Sequence, residues 1–409
     1  MAYINKNYQK LSAGYLFPEI SRRVRDYLKE NPGKIVHRLG IGNTTEPLTP
    51  TVVKALADGV YRLGKSETYT GYGDEQGEEA LRASLVKYYS RRNVQIDKEE
   101  FFISDGAKPD SANIQSLFSL ESSVAFQDPS YPVYIDSNVI AGRSGLLNAD
   151  IGSYEGFNYM VCLKDNGFIP HLPVKSVDLI YLCSPNNPTG SVLTKGDLKD
   201  FVDYARSNRS IIIFDASYAA YISDSVLPRS IYEIDGADEC AIEINSFSKF
   251  AGFTGVRLGW TIVPKNIRCK DTGPGELHQC WYRRQTTFFN GASNIAQQGG
   301  IAALTKQGLV ELQSLVDFYM YNAKLIREAL TSLGLVVYGG VSAPYVWVEA
   351  PNNLSSWAFF DKLLNEASVV GTPGIGFGPS GEGYLRLSAF GHRKSIEEAI
   401  NSIRENLLI

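Results

Sequence analysis

Ala241-Ile-Glu-Ile-Asn-Ser-Phe-Ser-Lys-Phe-Ala-Gly-Phe-Thr-Gly-Val-Arg-Leu-Gly259 starts as a β-branched run and ends in a turn rich in glycine and hydroxyls. Ala241–Asn245 reads as a strand, and a second apolar run, Leu258–Val263, follows it. The segment between them is dense in chemistry. Ser246, Ser248 and Lys249 stand within four residues, and Arg257 comes eight after the lysine. Hydroxyls with an arginine suit a phosphate. A partly desolvated lysine can condense with a carbonyl. A lone lysine reads as a solvated surface charge, but a lysine under this many local constraints reads as a site.

The same pattern of short apolar runs extends outward. Phe101–Ser104, Val124–Gln127, Asp178–Cys183 and Ile211–Asp215 precede it, with amphipathic stretches such as Asp197–Arg206 between them. Strands separated by helical spacers imply an α/β fold whose mainly parallel central sheet is covered by helices on both faces. Beyond it, Gly308–Leu333 has a long helical pattern. Mixed segments follow around Tyr345–Glu349 and Tyr384–Ser388, then a final helix from Ser395. The expected organisation is a large domain over residues 45–295. A smaller α+β domain is built from both chain ends, residues 1–44 and 296–409.

Composition narrows the function. The chain has 409 residues, enough for two to three domains' worth of core. Lys+Arg total 40 against 44 Asp+Glu, a formal charge of −4, which argues against a nucleic-acid binder. The five cysteines form no C-x-x-C, and their odd number does not suit a secreted disulfide framework. A reducing, cytoplasmic setting is expected. Four scattered histidines argue against a metal site. The first residues lack the apolar core of a signal peptide, and no run is long enough for a membrane span.

In open parallel sheets, ligands bind beyond the carboxyl ends of the strands. Four strand ends carry candidates. After Phe101–Ser104 comes Ser104-Asp-Gly-Ala-Lys-Pro-Asp110, a tight turn opening a helix. The backbone at Ala107 and Lys108 could receive an anion, or the turn could be ordinary punctuation. After Asp178–Cys183 comes the irregular loop Ser184-Pro-Asn-Asn-Pro-Thr-Gly190, which offers Asn187. Ile211–Phe214 ends in Asp215, with Tyr218 three residues on. A buried acid there needs a positive partner, unless it merely caps a turn. The fourth end is the Ser246–Gly259 segment. Gly376-Phe-Gly-Pro-Ser-Gly381 matches G-x-G-x-x-G but precedes a strand and contains Pro379, so it is not read as a dinucleotide fingerprint. The Gly371–Gly383 stretch around it reads equally as a hinge, a lid or a static loop.

One ligand satisfies all four ends. It carries a phosphate, a carbonyl for Lys249 and a ring nitrogen needing an acid. Pyridoxal 5′-phosphate has these three features. Asp215 would keep the ring nitrogen protonated, while Asn187 and Tyr218 would bond the phenolic oxygen. Ser246, Ser248, Arg257 and the Ala107–Lys108 backbone would hold the phosphate. Tyr131, in Asp128-Pro-Ser-Tyr-Pro, would stack on the ring. The catalytic set is then Lys249, Asp215 and Tyr218, with no metal.

These motifs resemble the fold-type I pyridoxal-phosphate aminotransferases of class I/II. The Ser246–Gly259 segment matches their lysine signature. Asn187-Pro-Thr-Gly, Asp215-x-x-Tyr218 and Tyr384-Leu-Arg-Leu-Ser occur in the family's order. Arg386 resembles the arginine that receives the substrate α-carboxylate. More particular segments are similar to the LL-diaminopimelate aminotransferases. They are Asn7-Tyr-x-Lys-Leu-x-Ala-Gly-Tyr-Leu-Phe-Pro-Glu-Ile, Leu39-Gly-Ile-Gly-Asn-Thr-Thr-Glu-Pro-Leu, Tyr69-Thr-Gly-Tyr-Gly-Asp-Glu-Gln-Gly and Ser104-Asp-Gly-Ala-Lys-Pro-Asp.

That resemblance implies ping-pong interconversion of LL-2,6-diaminopimelate and 2-oxoglutarate with tetrahydrodipicolinate and glutamate, on the route to lysine. It implies substrate contacts from Tyr15, Gly42, Lys108, Tyr131, Asn187, Asn290 and Arg386, with Asn290 also near the cofactor. It implies a homodimer in which Tyr72 reaches the partner's cofactor phosphate and Glu75 lies near the distal substrate ammonium. Lys108 and Asn290 are the candidates for tolerating both distal ends. Other aminotransferases of the class (aspartate, aromatic or alanine type) remain open. So does a pyridoxal-phosphate lyase or synthase on the same scaffold. A regulator on this fold is disfavoured, because no basic binding face accompanies the intact Lys249, Asp215 and Arg386 set.

Overall fold

A computed structural model describes residues 1–11, 16–148 and 151–409. Its main layer is a seven-stranded sheet of β1 (Phe101–Ser104), β2 (Val124–Asp128), β3 (Phe157–Val161), β4 (Leu179–Cys183), β5 (Ile211–Asp215), β6 (Ala241–Ser246) and β7 (Gly259–Ile262). The spatial order is β1-β7-β6-β5-β4-β2-β3. The strands are parallel except β7, which runs antiparallel to both its neighbours.

Alternation along β5 shows why apolar runs make this sheet. Ile211 and Ile213 join one core with Phe102, Phe126 and Tyr181. Ile212 and Phe214 join another, against Leu198, Phe201 and Val202 of the helix Lys195–Asn208. Both faces are covered, so every residue of β5 is buried. β3 was not legible as a strand. Its sequence, Phe-Asn-Tyr-Met-Val, is partly exposed and lies at the sheet edge, so it needs no continuous apolar run.

A second, four-stranded antiparallel sheet has β8 (Val337–Gly339), β9 (Tyr345–Glu349), β10 (Thr372–Pro373) and β11 (Tyr384–Ser388), in the order β8-β9-β11-β10. Its core gathers Ile20, Val24 and Tyr27 of the helix Leu16–Glu30. Ala323 and Ile326 of Lys306–Ser332, Phe359 and Phe360 of Ser356–Ala367, and Ile396 and Ile400 of Arg393–Asn406 complete it. His37 and Arg38 pair in parallel with Val369 and Val370. The turn Lys6–Lys10 instead lies on the first layer. There the Asn5 amide donates to Ile140 O (3.1 Å), and Tyr154 donates its hydroxyl to Lys10 O (2.9 Å).

The register around β7 positions the site. Gly259 faces Ser104 on one side and Ser246 on the other. A Cβ on Gly259 would lie 2.8 Å from Gly106 Cα and 3.0 Å from Asn245 O. Only glycine lets the turn after β1 and the turn after β6 approach this closely.

Candidate active site

The strand ends open into one cavity of about 670 Å³. Gly42, Ala107, Lys108, Tyr131, Asn187, Asp215, Tyr218, Ser246, Ser248, Lys249, Arg257 and Arg386 all line it. Residues far apart in the chain thus face one volume.

At one end lies an anion cradle. Gly106 has φ +134°, and a Cβ there would sit 2.3 Å from Arg257 Nη2. The guanidinium therefore rests directly on the turn that opens the helix Ala107–Asn113. Arg257 donates to Ser248 Oγ (3.2 Å) and Thr254 O (3.3 Å). It has no carboxylate partner among the described residues. Ser246 also serves locally, since its Oγ accepts from the Ser248 N–H (3.0 Å) and caps the turn Phe247–Phe250. Asp110 ties the cradle to the sheet by accepting from Ser104 Oγ (2.6 Å) and Thr261 Oγ1 (2.8 Å). Burial pushes its carboxyl up to about 7.

Lys249 faces the cavity's middle. Its amine donates to Gly42 O and lies 5.2 Å from the centre of the Phe390 ring. Burial first, then the positive charges of Arg386 and Arg257, lower it to about 7. Asp215 stands at the end of β5. Tyr134 donates to its Oδ2 (2.7 Å) and the Ser217 N–H to its Oδ1 (2.9 Å). Burial raises its pKa, and no cation opposes this among the described residues.

At the far end, Arg386 is only 3% exposed. It donates to Asn187 Oδ1 (2.6 Å) and Gly40 O (2.8 Å), while its Nε is buried without a partner. The rings of Tyr345 and Phe377 lie 4.4 and 4.8 Å from its Cζ. Among the described residues it meets no carboxylate. A desolvated guanidinium without a counter-ion is costly, so this end is built to receive an anion. Gly42 is required by packing, because a Cβ there would lie 2.5 Å from the Tyr345 hydroxyl. That hydroxyl is 2.7 Å from the Tyr218 hydroxyl.

Tyr72, Glu75 and Asn290 do not line this chain's cavity, and the first two were expected to serve the partner subunit's site. Tyr72 is 88% exposed, and Glu75 is half-buried outside the cavity wall. Asn290 was expected beside Lys108 in the substrate pocket. Instead it is exposed and outside that wall. The next residue, Gly291, packs against the Tyr72–Glu75 loop, its added Cβ falling 3.0 Å from Asp74 O and 3.6 Å from Glu75 Cα. Asn290 therefore groups with Glu75 and not with this chain's Lys108. Tyr15 falls outside the described residues. The sequence reading missed Tyr134, Tyr345 and Phe377. Tyr134 sits one helical turn after Tyr131, and Tyr345 shares β9 with buried Trp347, but in sequence each reads as ordinary core. Among the described residues, no group of His, Cys, Asp or Glu could hold a metal.

An anion cradle, a lysine lowered towards neutrality, a buried acid and an arginine without a carboxylate partner share one cavity, the set of groups a pyridoxal-phosphate enzyme requires. The chain belongs to the aminotransferase class I and II family, whose model matches residues 34–403. It is similar to the L,L-diaminopimelate aminotransferase of Chlamydomonas reinhardtii. The two share 48% identity and a TM-score of 0.93, over 99% of this chain and 98% of that one. Substrate-bound BacF of Bacillus subtilis is 25% identical, with a TM-score of 0.82 over 99% and 98% of the chains. A double mutant of Thermus thermophilus aspartate aminotransferase shares the fold, at 20% identity and a TM-score of 0.84 over 99% and 100%.

Pyridoxal phosphate is the cofactor of this family, and the residues present suit it. Arg257, without a carboxylate partner among the described residues, and the Ala107–Lys108 turn match its phosphate, and Lys249, lowered to about 7, matches its aldehyde. Asp215 lacks the positive partner that a protonated ring nitrogen supplies.

Proposed function

We propose that this chain is an LL-2,6-diaminopimelate:2-oxoglutarate aminotransferase serving lysine biosynthesis in the cytoplasm. The observation that carries transamination is the buried, carboxylate-free Arg386 across the cavity from Lys249. The likeness to the Chlamydomonas enzyme supports the substrate.

When bound, pyridoxal phosphate would supply an aldehyde for the substrate amine and an electron sink for Cα. The chain's own groups do the rest. Arg386, which has no carboxylate partner of its own among the described residues, receives the α-carboxylate and, with Asn187, fixes the amino acid's orientation. Lys249 takes the proton from Cα, and its pKa near 7 suits a base at neutral pH. Asp215, held by Tyr134 and Ser217, would pair with the cofactor's protonated ring nitrogen and keep it charged. Arg257, Ser248 and the Ala107–Lys108 turn would anchor the phosphate. Lys108, exposed at the cavity rim, takes the distal carboxylate common to both substrates.

The homodimer belongs to the same proposal. Tyr72, Glu75 and Asn290 stand together on an outer face with exposed Tyr61, Tyr69 and Phe288 nearby in sequence. From there they would complete the partner's cavity, with Glu75 accepting the distal ammonium. No described helix is long and apolar enough to cross a membrane.

The test is a stereospecific half-reaction followed by cofactor absorbance. LL-diaminopimelate and glutamate should each convert the cofactor to its aminated form, with meso-diaminopimelate slower. Failure of LL-diaminopimelate while aspartate or an aromatic amino acid succeeds would move the chain to another substrate. Elimination products without cofactor amination would make it a lyase.

A further inference from the structure

The Gly-rich stretch set aside as a false fingerprint is neither a dinucleotide loop nor a free flap. It forms two short turns, Gly374–Phe377 and Pro379–Gly381, just before β11. Its stem is cinched, since a Cβ on Gly374 would lie 2.1 Å from Gly381 O. The stem is also tied to the helix Ser356–Ala367, whose Ser356 hydroxyl donates to Gly381 O (3.2 Å) and accepts from the Gly383 N–H (3.1 Å). The stretch is thus anchored to the second sheet's layer.

Its tip is anchored to the first sheet. Asp128, the last residue of β2, is 2% exposed and ion-paired to nothing among the described residues. Its carboxylate accepts the Ser380 N–H (3.2 Å) and the Ser380 hydroxyl (2.7 Å). The backbone at Gly378, with φ +131°, passes so close that a Cβ there would lie 2.1 Å from Asp128 Oδ1. Two residues after Asp128, the Ser130 N–H donates to Phe377 O (2.9 Å). Phe377 is the ring that lies 4.8 Å from the Arg386 guanidinium.

We propose that Asp128 is a positioning residue for substrate binding: by latching Ser380 and Gly378 it holds Phe377 against Arg386 and so sets the geometry of the carboxylate receptor. A buried carboxylate is an expensive way to fasten a loop unless the fastening matters, because an uncharged acceptor could satisfy one N–H without the desolvation cost. The burial that makes Asp128 expensive raises its pKa to about 6, opposed by the Ser380 bonds. The inference rests on the α-carboxylate role proposed for Arg386.

The experiment uses the cofactor-loaded enzyme in steady state, varying amino donor and keto acid in turn. Asp128→Asn should raise KM for both substrates about 10-fold while kcat stays within about 3-fold, the signature of lost ground-state binding. Ser380→Ala, which removes the hydroxyl bond alone, should raise KM about 3-fold, and Ser380→Thr should restore it. Cofactor content should not change. An unchanged KM in Asp128→Asn overturns the proposal. So does a fall in kcat as large as the rise in KM. If Asp128→Asn does not fold, an unchanged KM in Ser380→Ala overturns it. Arg386→Ala, run in parallel, separates the two readings. If it leaves KM unchanged, the carboxylate role of Arg386 fails, whatever Asp128 does.

Discussion

The two ends of the cavity are built in opposite ways. The cofactor end is local: Ser246, Ser248, Lys249 and Arg257 come from the end of β6 and the turns that lead to β7, joined to the Ser104–Lys108 turn by the register at Gly259. The carboxylate end is assembled from afar. Arg386 on β11 meets Gly40 near the chain's start, Asn187 after β4 and Phe377 from the Gly-rich stretch. Under the proposed function, the local end would hold a ligand that stays, and the assembled end would admit and release two substrates. A receptor whose walls come from separate layers can be adjusted without disturbing the cofactor.

Substitutions can break this division of labour, and the largest effect should fall at the local end. Lys249→Ala removes both the amine that captures the cofactor and the Cα base. The half-reaction should slow at least ~10,000-fold in single-turnover absorbance measurements. Asp215→Asn keeps the Tyr134 bond but loses the charge, and should lower kcat by about 100-fold, while phosphate anchoring by Arg257 continues. At the assembled end, Arg386→Ala should cost about 100-fold in kcat/KM for both substrates, with cofactor content unchanged. A loss of bound cofactor in that variant would erase the distinction between the ends.

Smaller effects sharpen the comparison. Glu75→Ala should slow the diaminopimelate half-reaction about 10-fold and spare glutamate, since only the former carries a distal ammonium. Equal losses would remove that role. The pH dependence of cofactor capture is gentler. Only the neutral amine attacks a carbonyl, and Lys249 is lowered to about 7. The rate at which apo-protein condenses with pyridoxal phosphate should therefore rise with pH up to about 7 and then level off. A rate still climbing above pH 9 would mean that the amine is not lowered.

The contrast also explains what could be read in the chain. Lys249 and its neighbours were legible because phosphate and amine chemistry crowd into one segment. The parallel sheet was legible because both of its faces are buried, which turns strands such as Ile211–Asp215 into unbroken apolar runs. Edge strand β3 escaped for the opposite reason. Asp215 was recognised as an acid needing a partner, but Tyr134 was not recognised as its donor, since a tyrosine in an apolar helix reads as core. Tyr345 and Phe377 were hidden likewise: their closeness to Arg386 exists only once β9, β11 and the Gly-rich turns are packed. Asn290 could not be assigned to one chain's cavity or its partner's from its position in the sequence. The residue was there, but the packing of Gly291 on Asp74 places it on the outer face with Glu75.

The reversed strand β7 has one more consequence, for the order in which the chain can fold. β1 finds its neighbour in the sheet only through β7, because Ser104 pairs with Gly259. A growing chain thus finishes β1 long before its partner strand exists, and contacts this distant in sequence form slowly. Until then Phe101, Phe102 and Ile103, fully buried in the finished protein, have an open edge beside them. The phosphate cradle is accordingly among the last parts of the first layer to close, and fragments ending before residue 259 should bind neither phosphate nor cofactor and should aggregate through that edge.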